Sequence, residues 1–492
     1  MTETNKNLHT QPDTGKQPSS MKEGKRLIKN TGIIAIGNLS TKLVSFFLLP
    51  LYTSILSTEE YGIVDYIVSL STFFIPFITV LMDESMFRFL IDCKTDQERS
   101  RVISMSLVII LCGGGLFLAV ASPILWAIRY QYSLYVILYV LTAVLNTMTS
   151  ALLRGIGRTD YYAACNFLTS LIKILLNILM IAVLRMGVEG MLLAAIFSQI
   201  LGSAIYIVKV RLWKYLSPKG LSKALAKDMI HYSIPLIPNK VSWTIINLSN
   251  RLIINHSLGN SFSGLYAVSN KFPTLMDTVY GFFYQSWKES SARVVGDKGQ
   301  DAFYNTIYSY LKDFMFSVVL GMTAFMPLAF HFMVDDAFAD AIAYVPILLL
   351  ATYFANMSGF FGGVFTAYKD TKIMGTTTIV AAVLNLVIDL ALIKYVGLYA
   401  AALSTLISNV VVYFYRKIKV RKYVKLEENW KKQLLSIVAA IAVFYHFHAG
   451  GIHGFLWGCV LAVTYAVVAN IPLLKMAIKI VRPRKTQRRT EE

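Results

Sequence analysis

Long apolar stretches alternate with short polar ones along nearly the whole chain. Each apolar stretch is long enough for a helix that crosses a hydrocarbon layer of about 30 Å, although the thirteenth is short. The stretches lie near 30–55, 62–91, 102–128, 132–153, 161–184, 188–208, 230–255, 262–287, 302–332, 340–366, 373–393, 396–415, 433–447 and 454–474. The pattern predicts an all-α polytopic membrane protein with fourteen transmembrane helices, which we number spans 1 to 14.

Four of these spans carry polar side chains along one face, since residues three or four apart lie on the same side of a helix. The seam of span 2 runs through Asp65, Ser69, Thr72, Pro76, Thr79 and Asp83. Comparable seams contain Asn38, Thr41, Lys42 and Ser45 in span 1; Lys240, Trp243, Asn247, Asn250 and Arg251 in span 7; and Lys271, Thr274, Asp277, Tyr280 and Tyr284 in span 8. Lipid-facing helices do not carry such seams. Spans 1, 2, 7 and 8 are therefore expected to enclose a shared polar interior.

The two halves of the chain resemble each other. Residues 37–72 align with 239–274 at a constant offset of 202, which superposes Gly62 on Gly264. A later pair of segments also matches, superposing Asn177 on Asn385 and Gly187 on Gly397. The repeat unit is six spans, an even number, so both copies enter the membrane from the same side. This predicts two six-helix lobes related by a parallel repeat, followed by two additional C-terminal helices.

Composition agrees with a membrane protein, because 55% of the residues are hydrophobic and only 15% are charged. Soluble domains carry roughly a quarter charged residues. Cysteine spacing indicates neither disulfides nor a metal site. The four cysteines lie in or beside apolar stretches, at Cys93, Cys112, Cys165 and Cys459.

The distribution of basic residues predicts the topology. With the N-terminus inside, cytoplasmic segments hold 37 Lys and Arg, whereas outer loops hold only Arg129, Arg185 and Lys394. Basic residues collect in cytoplasmic loops, so both termini are placed inside. The net charge of +19 then reflects topology, and no nucleic-acid partner is expected. The predicted units are a disordered basic tail 1–29, an N-lobe 30–208, a basic linker 209–229, a C-lobe 230–415, a basic loop 416–432, spans 13 and 14 in 433–474, and a basic tail 475–492.

Seven basic residues remain within spans, where each costs at least about 2.5 kcal/mol at mid-bilayer. They are Lys42, Arg88, Lys173, Lys240, Arg251, Lys271 and Lys312. One interpretation is a water-filled cavity whose cations bind an anion such as a phosphate group. The candidate binding cations are Lys42, Lys240, Arg251, Lys271 and Arg88, with a polar and aromatic lining of Asn38, Trp243, Asn247, Asn250, Tyr280 and Tyr284. The alternative is interhelical packing, in which these groups hydrogen-bond or neutralise one another, as Arg88 and Asp92 could at i,i+4.

Acidic residues within spans are candidates for coupling to an H⁺ or Na⁺ gradient. They are Asp65, Asp83, Asp277 and Asp389. Asp389 could equally pair with Lys173.

Motifs for catalysis are lacking in the sequence. It contains no GxxxxGK[ST] phosphate loop, and its seven histidines form neither HExxH nor a ligand cluster. Glycosyltransferases and polymerases of membranes usually need large loops, and these loops are short. We therefore expect a transporter, with no enzymatic activity, metal or other cofactor.

The segment GNLSTKLVSFFLLPLYTSILSTEEYGIVDY, from residue 37, resembles the start of Wzx-type polysaccharide-unit flippases. These belong to the polysaccharide transporter branch of the multidrug/oligosaccharidyl-lipid/polysaccharide exporter superfamily. LLRGIGRTDYYA and GLYAVSNKFPTLM extend the likeness, which covers roughly residues 27–480. The resemblance implies a MATE-like, V-shaped pair of lobes that opens alternately to each side.

The resemblance also implies a function, which is to move an undecaprenyl-diphosphate-linked oligosaccharide to the outer leaflet of the bacterial cytoplasmic membrane. The product would be capsule, O-antigen, exopolysaccharide or a teichuronic-type polymer. Lys42, Lys240, Arg251 and Lys271 would meet the diphosphate, and spans 13 and 14 would form a groove for the lipid tail. Membrane lipids, a polymerase and chain-length proteins are candidate partners. The related lipid II flippase has an arginine cluster in span 1, where this chain has only Lys42, which argues against lipid II itself as substrate.

Two other functions fit parts of the pattern. A cation-coupled multidrug exporter of the same superfamily would need acidic lumen residues without the basic surplus. A non-transporting scaffold of a polysaccharide-synthesis complex would need the polar seams to serve packing alone.

Overall fold

A computed structural model describes residues 46–217, 221–368, 370 and 372–481, and every regular element in this part of the chain is helical. The α-helices are α1 Leu49–Ile55, α2 Thr58–Thr79, α3 Met82–Asp92, α4 Asp96–Ala127, α5 Ser133–Gly155, α6 Thr159–Asn177, α7 Gly187–Val210, α8 Lys223–Ser233, α9 Ile237–Leu258, α10 Asn260–Ser269, α11 Lys271–Arg293, α12 Gln300–Met333, α13 Val345–Ala367, α14 Lys372–Val396, α15 Tyr399–Val420, α16 Trp430–Ala449 and α17 Gly451–Val481. A π-helical turn, Ile178–Val183, extends α6, and 3₁₀ segments cover Leu212–Tyr215, Ile234–Leu236 and Asp336–Tyr344.

Ten helices within these residues are long and apolar enough to cross a membrane. They correspond to spans 2–6, 9–11, 13 and 14, and they confirm the all-α, multi-pass membrane protein. Spans 7, 8 and 12 fall on the more polar α9, α10–α11 and α15, and span 1 begins outside the described residues. The total of fourteen therefore stays a prediction, as do the domain limits derived from it.

Local sequence explains where two of the helices begin. The Ser57 hydroxyl accepts from the Glu60 N–H at 3.1 Å, and the Glu60 carboxylate accepts from the Ser57 N–H at 2.9 Å. Thr95 and Glu98 make the same reciprocal pair before α4. Such capping boxes satisfy N–H groups that a helix end leaves free. The short polar loops between spans therefore also fix helix starts.

The helix of span 2 is interrupted, which the apolar pattern does not predict. Val80 and Leu81 both have φ of +50°, and they separate α2 from α3. Left-handed backbone is unfavourable for a β-branched residue such as valine. A Cβ on Gly113 of α4 would lie 2.0 Å from the Ile78 carbonyl oxygen, so the missing side chain lets α4 approach the interruption. Span 2 is thus built from two helices, with a break in the segment that carries the polar seam.

The two halves of the bundle meet most extensively where α2 packs on α10. A Cβ on Gly62 would lie 1.9 Å from the Asn260 carbonyl oxygen, and one on Gly264 would lie 2.0 Å from that of Thr58. Only glycine at both positions permits this backbone contact. The charge distribution assigns this end to the outside. We call this contact the outer gate, and it is closed.

Positions superposed by the repeat behave alike. Gly187 and Gly397, which follow equivalent spans, have φ of +56° and +58°. Asn177 and Asn385 are both fully buried. The outer gate itself joins a third superposed pair, Gly62 and Gly264. These similarities agree with an internal duplication.

Two further units attach to the halves. Helix α8, in the linker, packs on α3 and α4, where the Ser85 hydroxyl donates to the Met229 carbonyl oxygen at 3.1 Å. Helices α16 and α17 pack on α12, where the Lys432 ammonium donates to the buried Asp313 carboxylate at 2.8 Å. A cavity of about 80 Å³ separates α12 from the outer ends of α16 and α17. The lipid-tail groove implied for spans 13 and 14 stays a prediction.

Candidate functional site

An ion pair joins the two halves just below the outer gate. The Arg251 Nε donates to Asp65 Oδ2 at 2.6 Å, and both side chains are more than four-fifths buried. Asp65 lies seven residues into α2 and Arg251 seven residues before the end of α9. At 1.5 Å per residue, both lie about 10 Å from the outer helix ends. The sequence predicts both residues as lumen groups, and the structure brings them together across the lobe interface.

One lysine lies beside this pair, and a second lysine lies near the first. The Lys271 charge interacts with those of Asp65 and Arg251, and its Nζ lies 5.9 Å from the centre of the Tyr61 ring. Lys173, from the other half, is close enough for its charge to act on Lys271. Neither lysine belongs to an ion pair within the described chain. We call Asp65, Arg251, Lys173 and Lys271 the interlobe cluster.

The interlobe cluster has three basic groups and one acidic group, so it carries a net charge of about +2 when all four are ionised. Lys271 lies eleven residues from Asn260, or about 17 Å from the outer end, which is mid-membrane depth. Charges held there are costly unless they are paired. A multivalent anion that entered between the halves would neutralise the cluster and could accept hydrogen bonds from both lobes.

A second charged group lies at the opposite end of the same seam. Asp83 interacts with the charges of Lys240 and Arg154, and Lys240 is exposed. Arg88 forms a surface pair with Asp92, with Nη1 and Oδ2 2.6 Å apart and about half of the arginine exposed. Arg88 therefore makes the local i,i+4 contact considered from the sequence. We call this end of the seam, which the charge distribution assigns to the cytoplasm, the predicted inner mouth. Lys240 and Arg154 place positive charge there.

The other residues predicted to line the cavity differ in burial, and some lie outside the described part of the chain. Asn250 and Tyr280 are buried inside the C-terminal half, Tyr284 is half-buried, and Asp277 is exposed on α11. Lys42 and Asn38 lie outside the described residues. The structure likewise does not describe the side chains of Trp243 and Asn247.

A buried polar group with spare oxygen atoms lies within the C-terminal half. Asp389 and Asn385 share one face of α14, and both are fully buried. The Asn385 amide donates to Thr405 Oγ1 at 3.3 Å, and the Asn250 amide donates to the same atom at 3.0 Å. Thr405 in turn donates to the Ala401 carbonyl oxygen at 2.8 Å.

Four oxygen atoms of this group lack a hydrogen-bond donor within the described chain. They are both carboxylate oxygens of Asp389 and the amide oxygens of Asn385 and Asn250. Buried acceptors without donors suit a hard cation, which takes oxygen ligands, or a proton on the carboxylate. No ion pair of the described chain joins Asp389 to Lys173, the alternative partner considered from the sequence. Among the same residues, no group of three or more His, Cys, Asp or Glu could hold a metal ion.

The sequence does not indicate every residue of the interlobe cluster or of the group around Asp389. Lys173 stands out as an intramembrane cation, but nothing in the sequence indicates that it faces Lys271. Thr405 carries no special signal. Asn385 and Asp389 are four residues apart on one helix, and that spacing was a usable sign of a shared polar face.

Residues 27–287 match the profile of the polysaccharide biosynthesis protein family. In sequence, the chain is 20% identical over 410 residues to the uncharacterized membrane protein MJ1375 of Methanocaldococcus jannaschii, covering 79% of this chain and 96% of that protein. In structure, it is similar to the lipid II flippase MurJ in an inward closed conformation, with a TM-score of 0.68, 14% identity, and coverage of 90% of this chain and 99% of that one.

It is also similar to a multidrug resistance MATE family transporter of the MOP superfamily in an inward-facing conformation. There the TM-score is 0.65 at 15% identity, and the match covers 79% of this chain and 95% of that one. These structural likenesses show a common fold, that of membrane transporters and flippases. Because the family profile matches more than half of the sequence, the chain belongs to the polysaccharide biosynthesis protein family.

Proposed function

We propose that this protein flips a polyprenyl-diphosphate-linked oligosaccharide, such as an undecaprenyl-linked repeat unit, from the inner to the outer leaflet of the cytoplasmic membrane. The observation that carries the proposal is the interlobe cluster, in which Lys173 and Lys271 add two positive charges to the Asp65–Arg251 pair. A diphosphate presents several acceptor oxygens and negative charges, and so complements this cluster. The lipid II flippase MurJ and the family membership support a lipid-linked substrate.

The physical barrier explains why such a cluster would be useful. Sugars and a diphosphate cannot cross hydrocarbon without losing their hydration, whereas a polyprenyl chain can stay in lipid. Cations from both lobes would replace water around the diphosphate at mid-membrane depth. Exposed Lys240 at the predicted inner mouth would attract the anionic headgroup before it reaches the cluster.

We further propose that the group around Asp389 couples transport to a cation, H⁺ or Na⁺. Its four oxygens without donors, one carboxylate pair and two amide oxygens, support a cation site. Asp65 serves less well because Arg251 already neutralises it. A multidrug exporter would also use such a carboxylate, but the net positive interlobe cluster would repel a cationic drug.

A flipping assay tests the proposed substrate. Purified protein is placed in liposomes with a fluorescent polyprenyl-diphosphate oligosaccharide, and the label that becomes accessible on the opposite leaflet is followed. Wild-type protein is expected to accelerate exposure, and Lys173→Gln with Lys271→Gln to abolish it. Lys394→Gln, which removes an exposed lysine, is the matched control. Equal flipping by the double variant would refute the assigned site, and gradient-driven uptake of a cationic drug without flipping would favour the exporter.

The coupling proposal has its own readout. Flipping should speed up under an imposed Na⁺ or H⁺ gradient in wild-type liposomes, and Asp389→Asn should remove that acceleration while gradient-free flipping persists. Acceleration that survives in Asp389→Asn would place coupling elsewhere.

A further inference from the structure

Arg416 is a buried cation that no part of the proposed transport cycle uses. The sequence places it in a cytoplasmic loop, but it lies within α15 and only 5% of it is exposed. The ion pairs of the described chain do not include it. A buried charge without a counter-charge is strongly unfavourable. The position of Arg416 therefore calls for a source of negative charge.

The protein satisfies most of the guanidinium's hydrogen bonds with neutral groups. Its Nε donates to Thr377 Oγ1 at 2.8 Å, and Nη1 donates to the Ser358 carbonyl oxygen at 3.2 Å. Its Nη2 donates to the Met374 carbonyl oxygen at 3.3 Å and to Thr378 Oγ1 at 3.5 Å. A guanidinium has five N–H groups, so one on Nη1 is left. The four acceptors fix its orientation but leave its charge in place.

Arg416 Nη1, which carries the remaining N–H, lies close to a glycine of the neighbouring helix α13. A Cβ added to Gly362 would lie 3.7 Å from Arg416 Nη1, 3.6 Å from Tyr284 Oη and 3.3 Å from the Met374 methyl carbon. The absent side chain thus lets a guanidinium and a phenol hydroxyl both approach the α13 backbone at this point. No hydrogen bond within the described chain uses the Tyr284 hydroxyl. We call the space between Arg416, Tyr284 and Gly362 the glycine cradle.

A second unused hydroxyl lies one helical turn away. Tyr280 is 7% exposed, and its oxygen atom is buried without a hydrogen-bond partner in the described part of the chain. Its ring stacks on that of Tyr284, with centroids 5.7 Å apart. A Cβ on Gly359 would lie 2.6 Å from the Tyr280 oxygen, so this hydroxyl packs against the α13 backbone where a side chain would otherwise stand. Two hydroxyl groups and one guanidinium N–H are therefore available as donors along this face of α13.

We propose that the glycine cradle binds a monovalent inorganic anion of about the size of chloride. The Tyr280 and Tyr284 hydroxyls and the remaining Arg416 N–H can each donate a hydrogen bond to an anion. A single negative charge would compensate the single charge of the guanidinium. Because Arg416 is 5% exposed, a small anion fits this position better than a sugar or a lipid headgroup. Bound there, the anion would link α11, which carries Lys271, to α13 and α15. This inference is independent of the proposed function.

The site is separate from the interlobe cluster. Tyr284 lies thirteen residues after Lys271 on the same helix, or about 20 Å along its axis. An experiment must nevertheless distinguish the two places, because chloride could also enter the cationic interior.

The test measures thermal unfolding of the purified full-length protein while sodium chloride replaces sodium gluconate at constant Na⁺ concentration and ionic strength. The wild-type midpoint is expected to rise with chloride and to saturate, since a ligand that binds only the folded state stabilises it. Bromide should act in the same way. Arg416→Gln, which removes the charge, and Gly362→Ala, which fills the cradle, should both lose the rise. Gly362→Ala keeps the test valid if Arg416→Gln does not fold.

Two controls decide where the anion binds. Lys271→Gln should keep the chloride-dependent rise, and Gly321→Ala, whose added Cβ would meet nothing within 4 Å, should keep it too. A wild-type midpoint that does not respond to chloride would overturn the proposal. A response that survives in Gly362→Ala, or that disappears in Lys271→Gln, would also overturn it.

Discussion

Replacing Gly264 by alanine tests the outer gate directly. The new Cβ would lie 2.0 Å from the Thr58 carbonyl oxygen, whereas non-bonded heavy atoms reach their optimum at about 3.5–4.0 Å. Helices α2 and α10 must therefore separate by more than about 1 Å. Overpacking of this kind costs about 1–3 kcal/mol, and about 2 kcal/mol corresponds to a shift of about 30-fold in a two-state equilibrium. The substitution should favour the conformation that is open to the outside.

Thiol labelling from outside the cell measures this shift. Ser263 is 1% exposed at the gate, so Ser263→Cys in a background without the four native cysteines reports on opening. A membrane-impermeant maleimide should react slowly in that background and up to about 30-fold faster when Gly264→Ala is added. Gly115→Ala, where the added Cβ would meet nothing within 4 Å, is the matched control. Unchanged labelling in a folded Gly264→Ala protein, or an equal increase in the control, would refute the closed gate.

Two further predictions concern charged groups on the C-terminal half. Burial opposes ionisation of Glu428, but hydrogen bonds and charges from Lys417 and Lys312 lower its pKa to about 2. Its contribution is therefore complete above the ordinary pKa and is lost as the pH falls towards about 2. Glu428→Gln should lower the free energy of unfolding by about 1–3 kcal/mol at pH 7 and by less at pH 3, as thermal unfolding at each pH would show. A uniform loss at both pH values would contradict this. Lys432→Met should destabilise the protein by about 3–5 kcal/mol, because Asp313 is then left buried and unpaired. Adding Asp313→Leu should restore most of the stability. If unfolding measurements show no such rescue, the ion pair does not have the proposed role.

The sequence predicts the membrane fold well because hydrocarbon imposes simple rules. Helices must be long and apolar, and basic residues collect on one side, so the apolar stretches and the loops suffice. Repeat alignment also superposes Gly62 and Gly264, although it does not indicate that the two glycines touch.

The contacts within the site are harder to predict from sequence. An intramembrane charge must be sheltered, but its partner depends on how each helix is rotated and how the lobes dock. The polar seams predict that Asp65 and Arg251 face a shared interior, but they do not indicate which charges pair. Lys173 lies on a helix without such a seam, so the sequence does not indicate that it lies near Lys271.

Arg416 shows a different limit. A run of basic residues follows it, so the charge pattern places it in a cytoplasmic loop. Its burial instead depends on hydroxyl and carbonyl acceptors from α13 and α14, which are distant in sequence. Backbone strain at Val80 and Leu81 is likewise set by packing against Gly113 rather than by local sequence.

The most direct test of the central claim is equilibrium binding to the interlobe cluster. Purified protein would be titrated with a polyprenyl-diphosphate oligosaccharide and with the matching monophosphate. We expect the diphosphate to bind at least about tenfold more tightly, a difference of about 1.4 kcal/mol, and Lys173→Gln with Lys271→Gln to remove that preference. Equal affinity for the two lipids, or a preference that persists without both lysines, would contradict a diphosphate site between the lobes.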